Sequence, residues 1–114
     1  MDRQMIENMV KQIVSMLVHG ELEKLEHMKM LGPSTREEYA CALQQYLRGR
    51  EVLCEPPPDA FSELEIDKTR GAKKWRIDFD LWTDRGRSDL TAQIYVEELS
   101  PGVGHGTLYD LRLL

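Results

Sequence analysis

The sequence predicts an α+β fold: N-terminal helices packed on one face of a curved C-terminal antiparallel sheet. Three observations carry this. Apolar residues recur at helical spacing through the first 49 positions, three consecutive prolines (Pro56, Pro57, Pro58) interrupt the chain, and from residue 63 onward apolar and polar residues alternate with a period of two. Each amphipathic element must bury its apolar side, so helices followed by an antiparallel meander imply a two-layer domain. The chain of 114 residues suits one such core. A single domain over 1–114 is expected, with helices over about 2–49, a connector over 50–62 and a sheet over 63–114.

The first helix follows from Met5, Ile6, Met9, Val10, Ile13, Met16 and Leu17, with Asp2 placed to cap it and Gly20 to end it. Residues 21–31 bring Leu22, Leu25 and Met28 to one side before Gly32-Pro33 stops a second, shorter helix. Ser34 with Glu37, or Thr35 with Glu38, makes a capping box for a third. Its Tyr39, Leu43, Tyr46 and Leu47 share a face, and Gly49 ends it. The prolines then favour extended backbone, and Phe61 is an aromatic anchor returning to the core.

Leu64 and Ile66 open the alternating region. Trp75, Ile77, Phe79 and Leu81 form one apolar strand face, and Asp84-Arg85-Gly86 supplies turn chemistry. Leu90, Ala92, Ile94 and Val96 continue that face on the return strand. Residues 100–106 are expected to form a loop, with a last strand over 107–114 that sends Tyr109, Leu111 and Leu113 inward and Asp110 and Arg112 outward.

The net charge is −5, with −2 over residues 1–57 and −3 over 58–114. No basic footprint is present, which argues against nucleic acid as a partner. A mildly acidic surface favours encounters with a basic protein. Cys41 and Cys54 make no disulfide framework, residues 1–20 lack the pattern of a signal peptide, and no run approaches membrane-spanning length. A cytoplasmic location is the expectation, with no membrane partner.

Two stretches carry a resemblance. His19-Gly20-Glu21-Leu22-Glu23-Lys24-Leu25 after the opening helix resembles the helix, turn and second helix that begin NTF2-like (cystatin-like) cone proteins. The hairpin Asp80-Leu81-Trp82-Thr83-Asp84-Arg85-Gly86-Arg87-Ser88-Asp89-Leu90-Thr91 is similar to one shared by a family of small bacterial proteins of no assigned activity. Residues 56–61 and 109–114 are similar to that family too. The resemblance implies a cone fold, and that fold hosts ligand-binding proteins, isomerases, dehydratases and toxin-neutralising partners alike.

The covered sheet face offers Tyr109 as its one titratable residue, and no general base is found there. His19 and His27 sit near helix ends, where a histidine is usually structural or solvated. Asp78 and Asp80 share a face like an acid/base pair, yet Arg76 and Arg112 stand ready as cross-strand counter-ions. The histidines and cysteines lack zinc spacing, and residues 102–106 precede a strand, not a helix that would hold a phosphate. Lys68, Arg70, Lys73 and Lys74 read as a solvated turn, and Met5, Met9 and Met16 as adaptable core filler. No catalytic residue, metal or cofactor is assigned.

The outer sheet face has surplus chemistry. Trp82 and Tyr95 lie among Arg76, Asp78, Asp80, Asp110 and Arg112, and Trp, Tyr and Arg are enriched at interface hot spots. Trp82 alternatively covers the sheet edge or caps the core. The expected function is a non-enzymatic bacterial binding protein, such as an immunity-type inhibitor of a basic toxin, using this face for a protein partner or for homodimerisation. The alternative is an NTF2-like small-molecule binder or lyase/isomerase with its pocket between helices and sheet.

Overall fold

The computed structural model describes residues 1–69 and 73–113. Helix α1 (Arg3–Val18) is capped by Asp2, whose carboxylate accepts from the Met5 N–H at 2.9 Å, and it ends before Gly20 at φ +69°. Its stripe of Ile6, Val10, Ile13, Val14, Met16 and Leu17 is buried. Helix α2 (Leu22–His27) is shorter than the spacing predicts: Lys29 takes φ +58°, and Met28 is left exposed. Helix α3 (Arg36–Leu47) uses the Thr35–Glu38 pair as a complete capping box, while Arg48 and Gly49 both adopt positive φ at its end.

The connector contains structure that alternation does not reveal. A two-residue strand β1 (Leu53–Cys54) and a one-turn helix α4 (Asp59–Ser62) precede β2 (Ile66–Lys68). The sheet therefore begins ten residues earlier than expected, because Leu53 and Cys54 pair with Thr83 and Trp82 at the far end of β3 (Lys74–Thr83). Phe61 is the anchor expected, stacked on Phe79 with centroids 5.0 Å apart and planes 6° apart. Strand β4 (Gly86–Ser100) returns along β3, and β5 (Val103–Leu113) completes the antiparallel order β1-β3-β4-β5, with β2 also on β3. Helix α1 packs across β4 and β5, over a floor of Ile77, Leu81, Ala92, Ile94, Val96 and Leu108, each fully buried.

Strand β5 corrects two expectations. It starts at Val103, so only Pro101 and Gly102 remain of the expected loop. Gly104 and Gly106 lie under the N-terminal segment: a Cβ at Gly104 would displace the ends of the Met1 and Met9 side chains, and one at Gly106 would sit tightly, 3.1 Å from Ile13 Cδ1. Further along, a bulge shifts the register, with Gln93 opposite Asp110 and Ile94 opposite Leu108. Tyr109 is thereby turned out and is 43% exposed, while Leu108 takes its place in the core. The bulge is held from the helical side. Leu108 exchanges hydrogen bonds with Met30 and Gly32, and the Tyr39 hydroxyl donates to the carbonyls of Leu108 (3.2 Å) and Tyr109 (2.8 Å). Leu113 keeps the inner side opposite Leu90, but the helices do not reach it and it is 64% exposed. The expected turn at Arg70 and the final Leu114 lie outside the described residues.

Candidate functional site on the outer sheet face

The pairing register builds the outer face as rungs across β3, β4 and β5. Arg76 stands opposite Tyr95, Asp78 opposite Gln93 and then Asp110, and Asp80 opposite Thr91 and then Arg112. Trp82 is six residues beyond Arg76, about 20 Å at strand rise. The two predicted aromatic anchors thus sit at opposite ends of the face. The structure does not bring them together.

At one end, Tyr95 meets Tyr109 edge-on, with centroids 5.1 Å apart and an interplanar angle of 77°, and the Lys74 ammonium lies 4.8 Å from the Tyr95 centroid. Tyr109 joins this cluster only because of the bulge. The hollow beside it, formed with His105 and Thr107, holds only about 80 Å³.

The middle is a charge strip that is largely self-satisfied. Arg87 donates from Nε (2.9 Å) and Nη2 (2.8 Å) to Asp80 Oδ2, and the fully buried Thr91 hydroxyl donates to Asp80 Oδ1 at 2.8 Å. A register shift between Asp80 and Trp82, where the Ser88 hydroxyl donates to the Leu81 carbonyl, brings Arg87 opposite Trp82. Arg76 pairs with Asp67 at 3.2 Å. Asp110 accepts from the Leu111 N–H at 2.9 Å. Asp78 differs. Its nearest charges are Arg76 Nε at 3.8 Å and Arg112 Nη2 at 4.0 Å, and its Oδ1 has no hydrogen-bond donor among the described residues.

At the other end lies a groove of about 500 Å³ between the connector and β3. Residues Ile77 and Trp82 bound a stretch of β3, 78–81, that has no strand neighbour among the described residues on the side where β1 and β2 pair. Trp82 packs partly against the core and also lines the groove. Among the described residues five carboxylates line it, Asp59, Glu63 and Glu65 from the segment before β2 and Asp78 and Asp80 from β3, and the one cation is Arg87. The three connector acids were not legible as site residues, because they meet Trp82 only through the return of α4 over the sheet; Arg87 was not, because the register shift in the β3–β4 hairpin is what sets it opposite Trp82.

The histidines are placed as surface groups. His19 Nδ1 lies 2.7 Å from the Ser15 carbonyl at the end of α1, and His27 is exposed on α2. Among the described residues no group of three or more His, Cys, Asp or Glu side chains is placed to hold a metal ion. No described helix is long and apolar enough to cross a membrane.

No curated protein and no solved structure matches the chain. One family model does, a domain of unknown function, DUF7668, over residues 14–113. That span runs from the middle of α1 through the last described strand and includes the groove, the charge strip and the bulge. The chain belongs to the DUF7668 family.

Proposed function

We propose that this chain is a non-enzymatic binding protein that holds a basic, extended segment of a partner protein in the groove beside Trp82, as an immunity-type inhibitor holds a basic toxin. The observation that carries this reading is the coincidence of five carboxylates, a tryptophan and an unpaired length of β3 around one 500 Å³ groove. An unpaired strand edge offers main-chain hydrogen bonds to an extended segment. The carboxylates select lysine and arginine in it, and Trp82 gives an apolar and cation-binding surface. Asp78, a third exposed and held by no hydrogen bond to a described residue, adds a carboxylate on the β3 side of the groove, although its Oδ1 is itself buried. We read the helical layer over a curved sheet as a variant of the NTF2-like cone, and the location as cytoplasmic.

The test uses a Trp75→Phe background, so that Trp82 is the only tryptophan. Its emission is followed during titration with an alternating lysine–valine octapeptide, and separately with a glutamate–valine one. A saturable change with the lysine peptide alone is expected, weakening as salt rises, since open charges are screened over about 8 Å at physiological ionic strength. Combined Glu63→Gln, Glu65→Gln and Asp78→Asn substitution should remove it. Equal responses to both peptides, or none, would overturn the reading.

A further inference from the structure

We propose a second binding site on the opposite face: the groove between the C-terminal half of α3 and the inner side of the sheet takes an amphipathic organic carboxylate, with an apolar body and one anionic head. Helix α3 is tethered at its start, where the Tyr39 hydroxyl reaches two carbonyls of β5. Tyr39 is its only fully buried residue, and Leu43, Tyr46 and Leu47 are left partly covered. Near the other end, the Tyr46 hydroxyl accepts from the Asp89 N–H at 3.3 Å. Between helix and sheet a groove of about 550 Å³ stays open, within the size range of small-ligand sites.

Its chemistry is divided. Leu90, Leu111 and Leu113 form an apolar floor, with Tyr46 and Leu47 as the wall. Arg48, Arg50 and Arg85 stand at the rim, and none of them makes an ion pair with a described residue. Among the described residues Glu51 is the one carboxylate in the lining, and it accepts from the Thr83 hydroxyl at 2.8 Å. The rim is therefore cationic on a chain whose net charge is −5. An apolar floor alone would accept any hydrocarbon. Three arginines choose the head group, because the planar guanidinium fork matches a carboxylate and carries its charge at any working pH. A basic peptide suited to the Trp82 groove is repelled here, so the two sites select opposite ligands.

The experiment is a methyl-detected NMR titration of the full chain with decanoate, 1-decanol and decyltrimethylammonium, each below its micelle concentration. Decanoate should give saturable shifts centred on the Leu47, Leu90, Leu111 and Leu113 methyls. Decanol should bind about tenfold more weakly, the loss expected on removing a charge-assisted hydrogen bond, and the ammonium should not bind. Arg50→Glu with Arg85→Glu should reduce decanoate affinity about tenfold and leave decanol unchanged. Ala42→Phe, a groove-filling change at a half-buried helix position, should abolish both, with circular dichroism reporting an intact fold. Equal affinity for all three amphiphiles, shifts centred elsewhere, or binding of an acidic amphipathic peptide but not decanoate would overturn the proposal. None of these outcomes bears on the Trp82 groove.

Discussion

Replacing Asp80 separates the carboxylate that holds the outer face together from its neighbour Asp78, whose Oδ1 accepts from no described donor. Asp80 accepts from the Thr91 hydroxyl at 2.8 Å, and Thr91 is fully buried. In Asp80→Ala that hydroxyl is left without its acceptor, at a cost of about 1–3 kcal/mol. The lost pair with Arg87 adds little, because the arginine side chain is 69% exposed, and such pairs contribute about 0.2–1 kcal/mol. The total expected is about 1–4 kcal/mol. Asp80→Asn keeps an oxygen for Thr91 and should lose only about 1 kcal/mol. Asp78→Ala should fall within about 0.5 kcal/mol of the parent, since its arginines lie at 3.8 and 4.0 Å and its Oδ1 accepts no hydrogen bond from a described residue. Urea unfolding followed by far-ultraviolet circular dichroism measures all three, with a constant m-value confirming that the unfolded state is unchanged. An Asp80→Ala protein as stable as the parent, or Asp78→Ala as damaging as Asp80→Ala, would refute the division between them.

Gly32→Ala should cost about 2–4 kcal/mol by the same assay, because a Cβ there would lie 2.8 Å from the Leu108 carbonyl oxygen and 2.9 Å from the Tyr109 Cα, both backbone atoms. Leu108→Ala should cost about 2–5 kcal/mol, whereas Tyr109→Ala, on the exposed side of the bulge, should cost far less; the reverse order in thermal melts would mean that Tyr109 is the core residue. The Glu38 carboxyl is held below the usual range chiefly by the Thr35 N–H, with help from its hydroxyl. Its contribution is thus full above the ordinary carboxylate range and is lost as pH falls below about 4.3 through the lowered value. Glu38→Gln should therefore lower the melting temperature at pH 7 and approach the parent in acid, and a deficit that persists unchanged in acid would contradict this.

Much of the fold was legible because it depends on local rules. The α1 stripe, the Thr35 capping box, the Phe61 anchor and the inner faces of β3 and β4 are set by periodicity and by which side chains can satisfy nearby backbone. The outward-facing Arg76, Asp78, Asp80 and Arg112 follow from the same alternation. That logic fails where one residue is inserted into a ladder. Leu108 and Tyr109 are both apolar enough for the core, and hydropathy does not say which is skipped; the contact of Met30–Gly32 and Tyr39 with β5 decides it. β1 and α4 were hidden because two residues and a single turn are too short to show a period.

The α+β class, the helical cover, the hairpin and the identity of the inner face are determined by the sequence itself, since each is a property of residues a few positions apart. The two grooves are not. Trp82 and Tyr95 share a face yet stand at its opposite ends, and Asp59, Glu63 and Glu65 reach Trp82 from 17 to 23 positions away. Arg48 and Arg50 from the turn after α3 and Arg85 from the β3–β4 turn line one groove with Leu111 and Leu113. Only the packing of helix and connector on the sheet decides such meetings, because they depend on long-range register and close approach rather than on any local pattern.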